Sequence, residues 1–157
     1  DMIETMHAEE GIGLAAQQIG IAQQICVVDV RPPKDSEIKF NYSYDGKSTP
    51  LDLFMPLAII NPKVSITDSC ESLYQEGCLS VPGFYDDVAR PAQCRVAFLD
   101  YDGQSQELEC DGLLATCIQH EMDHLEGIVF LDRLSRLKRQ IVLKKIAKAE
   151  RDASSAE

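Results

Sequence analysis

The chain has no hydrophobic run long enough to span a membrane and no segment typical of a secretory signal. Its six cysteines form neither a C-x-x-C pair nor the spacing of a disulfide framework, which favours a reducing, cytosolic compartment. Internal repeats, low-complexity tracts and domain linkers are also missing. Since 45% of the 157 residues are hydrophobic, we expect one soluble domain over residues 1–157 with its own core.

Positive charge is scarce as well. The chain has 15 Lys and Arg against 26 Asp and Glu, which gives a formal net charge of −11. Such a surface repels phosphate backbones, so we expect no DNA partner, and the lack of an apolar span argues against a membrane partner. The basic residues that are present cluster, because eight of the fifteen lie between Arg133 and Arg151.

Histidine is rare too, yet two of the three histidines lie in one His-Glu-x-x-His motif, at His120 and His124. On a helix these side chains are ~40° apart around the axis and one turn apart along it, so both imidazoles can reach one metal ion. Glu121 follows the first of them directly. That position suits a carboxylate that takes a proton from a metal-bound water without binding the metal itself.

The motif lies in an apolar, helix-prone run from Leu113 to Phe130. Asp111 is the candidate N-cap and Gly127 the candidate terminator, which puts the motif near the middle of a helix of roughly four turns. The alternative is a buried helix whose histidines only form hydrogen bonds. The flanking residues favour a metal-binding helix over that alternative.

Two histidines are too few for a metal site, so a third ligand must be found. Phe130 stands where the long-signature zinc proteases have their third His, which excludes that class. Cys117 and His124 are ~10.5 Å apart along a helix axis, too far for one ion, and Cys117 is better explained as a core thiol. Cys78 is the best remaining candidate, since Gly77 before it permits close approach of another backbone.

Three stretches resemble the signature motifs of the peptide deformylases, in the order expected of that family. They are Gly11–Gln18, Glu76–Ser80 and Gln119–His124. By its spacing alone the first stretch indicates only a tight glycine turn. The resemblance implies an enzyme that removes the formyl group from the N-terminal formyl-methionine of new polypeptides and releases formate.

The resemblance also implies roles for particular residues. The implied metal ligands are Cys78, His120 and His124. They would hold one divalent ion, Fe²⁺ as is typical of the family, with Zn²⁺, Ni²⁺ or Co²⁺ as alternatives in purified protein. Glu121 would act as general base, while Gln18 and the backbone N–H of Leu79 would stabilise the oxyanion.

The implied partners are N-formylmethionyl peptides and nascent chains. Ile12 and Gly13 on one side and Gly77 on the other look placed to pair with an extended peptide. Three residues lie one or two helical turns before His120 and are predicted to line an apolar slot for methionine. They are Leu113, Thr116 and Cys117.

Hydrophobic and β-branched runs predict four strands, followed by the motif helix and a last helix. The strands are Ile25–Val30, Ala58–Ile66, Cys94–Tyr101 and Gln106–Cys110. Between the first two, the stretch from Arg31 to Pro56 is predicted as a loop or hairpin insertion in which only Ile38–Tyr42 is strand-like. The order favours an α+β fold of mainly antiparallel β-sheets packed around a central metal-binding helix, with a C-terminal helix.

The last helix is predicted to begin after Ser135 as N-cap and to bury one apolar face. That face consists of Leu137, Ile141, Val142 and Ile146. The basic side chains are expected in water. A solvated amphipathic helix is the favoured interpretation, and contact of its basic face with ribosomal RNA is the alternative.

Two other functions stay open at this stage. A different metallopeptidase would draw its third ligand from a downstream acid such as Glu150, and a non-catalytic protein would use a closed structural zinc site with Cys117 or another thiol as fourth ligand. Tyr85 stands where several deformylases carry a basic residue, which is expected to alter substrate contacts and not the chemistry. The chain opens at Asp1 within a helical pattern, so we expect a segment to precede it, and a bacterial cytoplasm or an organelle as its location.

Overall fold

The structure is a computed structural model that describes residues 1–154. Within these residues, three helices and eight strands follow one another, with short 3₁₀ turns at Ala16–Ile19, Leu51–Leu53 and Phe130–Arg133. In order they are α1 (Met2–Ala8), β1 (Gly13–Ala15), β2 (Ile25–Val28), β3 (Tyr42–Tyr44), β4 (Leu57–Ile66), β5 (Glu71–Cys78), β6 (Val81–Pro91), β7 (Gln93–Leu99), β8 (Ser105–Asp111), α2 (Gly112–Leu125) and α3 (Arg136–Ser154). None of the described helices is long and apolar enough to cross a membrane.

The strands form two antiparallel sheets. Six of them make one sheet in the order β1-β2-β4-β7-β8-β3, and β5 pairs with β6 as a separate hairpin. The prediction of an α+β fold with antiparallel sheets and a C-terminal helix is confirmed. β1, which is part of the stretch Gly11–Gln18, lies at one edge of the larger sheet.

α2 packs against strands of both sheets. The side chains of its first half, among them Leu114 and Ile118, join the main core with Ile59 of β4 and Val96 of β7. A second, smaller core lies under the hairpin, where Phe130 packs with residues of β6 and α3. The helix that carries the two histidines is therefore anchored to the larger sheet by apolar contacts, independently of its polar contacts.

The ends of α2 differ in detail from the prediction. Gly127 terminates the helix with φ +76°, and its N–H donates to the His124 carbonyl at 3.1 Å. Asp111 occupies the N-cap position, but its carboxylate accepts from the backbone N–H of Asn41 at 2.6 Å and from the Asn41 amide at 2.8 Å. The N-cap prediction is therefore wrong for the side chain, because a loop donor satisfies it. The prediction that the motif lies near the helix centre is also wrong, since His124 is in the last turn.

α3 begins after Ser135, whose hydroxyl accepts from the Lys138 N–H at 3.4 Å, as an N-cap does. Its predicted apolar face is only partly buried. Val142 is buried and Ile146 half-buried, whereas Leu137 is 68% and Ile141 46% exposed. The prediction was wrong for these two because α3 meets the domain along the stripe that faces the small core, and not along the full apolar arc.

Besides the four predicted strands, the described residues form β1, β3, β5 and β6. β3 begins four residues after the predicted start at Ile38 and shares only Tyr42 with the strand-like stretch, since pairing with β8 selects Tyr42–Tyr44. β6 was not foreseen, because Pro82, Gly83 and a pair of aspartates interrupt its apolar pattern. Its pairing with β5 creates the hairpin whose end carries Cys78.

Candidate functional site

Three potential metal ligands converge between the end of β5 and the last turns of α2. Cys78 Sγ lies 3.2 Å from His124 Nε2, and the two histidine Nε2 atoms lie 3.1 Å apart. All three candidate ligand atoms are within 4.8 Å of one another. A tetrahedral ion with the usual bond lengths of ~2.0–2.3 Å spaces its ligand atoms about 3.3–3.6 Å apart, so the cluster has the dimensions of such a site.

The charges around the cluster favour a cation there. Burial raises the pKa of Cys78, but hydrogen bonds with His120 and His124 outweigh it and bring that pKa to about 5. Burial lowers the pKa of His120, yet the Cys78 sulfur and the Glu76 carboxylate outweigh it and raise that pKa to about 10. A thiolate and a carboxylate thus attract positive charge to the point where the ligand atoms meet. A divalent ion supplies that charge, so the donor set fits a metal.

Glu76 orients His120. The Nδ1–H of His120 donates to Glu76 Oε2 at 2.9 Å, which turns Nε2 toward Cys78 and His124. Arg90 of β6 holds the same carboxylate through Nη2 at 3.0 Å and also donates to Asp123 Oδ2 at 2.8 Å. Neither the role of Glu76 nor that of Arg90 was foreseen. Glu76 stood inside a recognised motif, but no local signal distinguished Arg90 from a surface arginine.

Glu121 is buried beside the cluster without belonging to it. Its Oε2 has no hydrogen-bond partner, and any side chain at position 13 would overlap its carboxylate, so Gly13 is required there. Burial raises the pKa of Glu121 to about 7, against the lowering effect of His120 and His124. A carboxylate with a pKa near neutrality and a vacant acceptor atom suits proton transfer.

Gln18 lies on the other side of the cluster, in the 3₁₀ turn after β1. Its Oε1 accepts from the Ala15 N–H at 2.8 Å, which fixes the amide and directs Nε2 to Cys78 Sγ at 3.5 Å and Ser80 Oγ at 3.0 Å. Leu79 follows Cys78 directly and lines the same space. Both residues therefore border the point at which the ligand atoms meet.

A cleft of about 530 Å³ opens onto the cluster. All the predicted site residues line it except His124, which is buried beneath it. The lining includes Ile12, Gly13, Gln18, Gly77, Cys78, Leu79, Leu113, Thr116, Cys117, His120 and Glu121. The structure thus brings the predicted residues together, while their individual roles stay predictions.

Cys117 is separate from the candidate ligands. Its thiol donates to the Ile12 carbonyl at 3.4 Å, and burial raises its pKa well above the usual value, so it is a neutral thiol. Glu150 lies exposed on α3. Within residues 1–154, the group that could hold an ion contains neither of them.

One edge of the cleft is an open strand edge. The Ile12 carbonyl accepts from the Asp29 N–H at 2.9 Å, and Leu14 pairs with Val27. Because backbone groups alternate in direction along an antiparallel strand, the N–H and C=O of Gly13 point away from β2. Gly13 is therefore the residue of this edge that can pair with an added strand.

Comparisons with known proteins agree with this geometry. Residues 1–140 match the family described as polypeptide deformylase. The peptide deformylase of Methylocella silvestris is 45% identical over 149 residues, which is 95% of this chain and 69% of that protein. The corresponding protein of Rhizorhabdus wittichii is 46% identical over 156 residues, covering 99% of this chain and 81% of that one.

Solved structures give the same result. The crystal structure of peptide deformylase from Ehrlichia chaffeensis matches with a TM-score of 0.80 and 40% identity over 98% of this chain and 81% of that one. That of Synechococcus elongatus in complex with actinonin has a TM-score of 0.75 and 42% identity, over 93% of this chain and 69% of that one. This chain therefore belongs to the peptide deformylases, metal-dependent hydrolases that cleave the N-formyl amide.

Proposed function

We propose that this chain removes the formyl group from peptides that begin with formyl-methionine, and that nascent chains are its natural substrates. The observation that carries the proposal is the convergence of Cys78, His120 and His124 beside the unpartnered carboxylate oxygen of Glu121, at the base of an open cleft. Contact of the basic face of α3 with ribosomal RNA and a cytoplasmic location stay predictions.

Cys78, His120 and His124 would hold one divalent ion, because their ligand atoms face one another and their surroundings favour positive charge. The set accepts Fe²⁺, which we expect in the cell, as well as Zn²⁺, Ni²⁺ or Co²⁺. When bound, the ion supplies Lewis acidity that lowers the pKa of water and polarises a carbonyl. Glu76 would orient His120 for metal binding, because an imidazole held through Nδ1 presents its Nε2 to the ion.

Glu121 would transfer the proton. Its Oε2 accepts a proton from the attacking water while the water oxygen forms a bond to the formyl carbon. The C–N bond then breaks, Glu121 returns the proton to the amine nitrogen, and formate leaves. A carboxyl with a pKa of about 7 can both accept and donate near neutral pH.

Gln18 and Leu79 would stabilise the negative charge that develops on the formyl oxygen. The Gln18 amide is held by the Ala15 N–H, so its Nε2–H groups are fixed before substrate arrives. The backbone N–H of Leu79 is the second proposed donor. Donors fixed in advance cost no reorganisation during the reaction.

The peptide would lie along the β1 edge. Gly13 offers its free N–H and C=O, Ile12 adjoins it, and Gly77 forms the opposite side of the cleft. The slot lined by Leu113, Thr116 and Cys117 would receive the methionine side chain, which is unbranched and adaptable. Crowding by Leu79 and Gln18 should leave room for a formyl hydrogen but little for an acetyl methyl.

Formate release from short peptides tests the function. We expect efficient cleavage of formyl-Met peptides, poor cleavage of formyl-Asp peptides and almost none of acetyl-Met peptides. Chelation should abolish the activity, and Fe²⁺ or Ni²⁺ should restore it. A pocket alone discriminates one methyl by only ~1–3 kcal/mol, so strong acetyl rejection requires a clash at the reacting carbon. Comparable kcat/KM values for formyl and acetyl peptides would mean a general amidase and would overturn the proposal.

A further inference from the structure

Two cysteines face each other across the β7–β8 pair. Cys94 and Cys110 are directly opposite in the register of the two strands, and their Sγ atoms lie 3.9 Å apart. Both side chains belong to the main core, where Cys94 is 0% and Cys110 4% exposed. All six cysteines are free thiols, so these two sulfurs share a hydrogen bond and no covalent bond.

The other four cysteines are not arranged in this way. Within residues 1–154, no other two cysteine sulfurs share a hydrogen bond. Cys78 belongs to the candidate ligand cluster, and Cys117 donates to a backbone carbonyl. Cys70 is exposed, and Cys26 is buried in the core. The thiols that face each other on β7 and β8 lie outside both the ligand cluster and the lining of the cleft.

The backbone geometry at this position permits a disulfide. The Asp111 N–H donates to the Asn41 carbonyl, on the side of β8 away from β7. Because backbone groups alternate in direction along a strand, those of Cys110 point to β7, which gives a hydrogen-bonded pair with Cα atoms about 5.5 Å apart. Disulfides most often span Cα separations of ~5.5–6 Å. The sulfurs have to approach by less than about 2 Å, which rotation about the Cα–Cβ bonds can provide.

The hydrogen bond between the two thiols makes them unequal. Donation from the Cys110 S–H lowers the pKa of Cys94, against the raising effect of burial. The same hydrogen bond, together with burial, raises the pKa of Cys110. The thiolate is the form that attacks an oxidant, so Cys94 is the sulfur that reacts first.

The strand that covers Cys110 is short and lies at an edge. β3 is the last strand of the larger sheet and pairs with β8 only over Tyr42–Tyr44. Tyr42 lies opposite Cys110 and is only partly buried. A short edge strand opens at a lower free-energy cost than the centre of a sheet. A molecule as small as a hydroperoxide can therefore reach the two thiols through such an opening.

We propose that Cys94 and Cys110 form a reversible disulfide when a hydroperoxide reaches them. The Cys94 sulfur attacks one oxygen of hydrogen peroxide, the O–O bond breaks, and the departing oxygen takes up a proton and leaves as water. The Cys110 sulfur then attacks the sulfenic sulfur, an S–S bond replaces the S–O bond, and a second water leaves. Two thiols are oxidised to a disulfide, and one hydrogen peroxide is reduced to two waters. Exchange with a small thiol restores both cysteines.

The bond links the open end of the β7–β8 hairpin. The turn between these strands lies at residues 100–104, and the two cysteines lie at the other end. Gly112 begins α2 two residues after Cys110, so the bond fixes β8 where it leads into the helix of the candidate ligands. A link across this loop restricts the unfolded chain and stabilises the folded one.

Peptide mapping tests the proposal on the intact, zinc-loaded protein, since Zn²⁺ has no redox chemistry of its own. The protein is treated with hydrogen peroxide, and the remaining thiols are then blocked in denaturant. Cleavage before aspartate and after arginine gives peptides 87–95 and 102–110, each with one cysteine of the two. We expect these peptides to be joined in about one bond per chain, with the mass of two hydrogen atoms lost, and to separate on treatment with dithiothreitol.

Stability gives a second measurement with matched variants. Peroxide treatment should raise the urea midpoint of the unchanged protein, and dithiothreitol should reverse the shift. In Cys110→Ala, both the joined peptides and the shift should be absent. The control is Cys26→Ala, which removes another fully buried thiol and should retain both.

Complete oxidation of the exposed Cys70 while Cys94 and Cys110 remain thiols would overturn the proposal and leave them as core side chains only. A bond from Cys110 to Cys117, or one that forms only in urea, would overturn it as well. Mapping of the unchanged protein decides the question even where a variant fails to fold. Neither measurement depends on formate release, so failure of the proposed function would leave this test intact.

Discussion

The two halves of α2 are equally buried but lie in opposite surroundings. In the first half, Leu114 and Ile118 pack into the apolar core of the larger sheet. In the second half, His120, Glu121 and His124 are just as inaccessible yet face sulfur, carboxylates and guanidinium groups. Burying polar groups costs free energy unless they are paired. The first half thus stabilises the fold. It also fixes the position of the second half, whose polar side chains form the candidate site.

The polar half is paired through partners from other elements. Glu76 and Arg90 come from the hairpin of β5 and β6. Asp123 of α2 accepts hydrogen bonds from Arg90 and from Arg133, which follows the helix. The Oε2 of Glu121 is the exception, since nothing in residues 1–154 pairs with it. The comparison predicts that changes in the polar half affect metal binding and turnover, while changes at core residues of the apolar half that lie outside the cleft, such as Ile118, affect stability alone.

The largest effect should come from Cys78→Ser. Serine is a weaker ligand than a thiolate, so metal affinity should fall by more than the ~10–100-fold typical of outer partners, and activity should fall with it. Cys117→Ser is the matched control, because this thiol donates to the Ile12 carbonyl and lies outside the cluster. Metal content per purified chain measures both. Loss of metal in Cys117→Ser with retention in Cys78→Ser would reverse the ligand assignment.

Glu121→Gln should retain the metal and lower kcat by at least ~10²-fold, because an amide cannot take the proton from water. Glu126→Gln makes the same change at the exposed C-cap of the same helix and should leave kcat unaltered. Steady-state formate release, with metal content measured in parallel, checks the expectation. Near-normal turnover in Glu121→Gln would exclude this residue as the base.

Glu76→Gln should weaken metal affinity by about 10–100-fold, because the neutral amide holds the Nδ1–H of His120 less strongly. The control is Glu109→Gln, which breaks an exposed pair with Arg95 whose Nη2–Oε2 distance is 3.0 Å. A surface pair of that kind contributes ~0–1 kcal/mol and none of it to the site. Competition with a chelator gives the metal affinity of both variants. Equal affinities would show that Glu76 does not contribute to metal binding.

The smallest effect should come from Ile118→Val in the apolar half. Loss of one buried methylene should lower the free energy of unfolding by about 0.5–1.5 kcal/mol, as measured by urea denaturation. Metal affinity and kcat should stay within error of the unchanged protein. A drop in either one would show that the two halves of α2 are coupled and not independent.

Local sequence patterns predicted four of the eight described strands and the helix that carries the histidines. β4, β7 and β8 lie within a few residues of the predicted bounds, because alternating and β-branched runs report burial directly. β6 was missed, since its pairing with β5 supplies the order that its Pro82 and Gly83 do not indicate. The exposure of Leu137 likewise depends on where α3 meets the domain, which periodicity cannot show.

The sequence by itself determined the spacing of His120 and His124, because helix geometry relates residues four apart without reference to the rest of the fold. It also determined family membership through its three motifs. Tertiary structure alone decided that Arg90 holds Glu76, that the Asp111 carboxylate binds Asn41, and that Gly13 faces an open edge. The two hydrogen-bonded pairs are 14 and 70 residues apart in the chain, and the pairing of β5 with β6 and of β3 with β8 brings them within hydrogen-bonding distance.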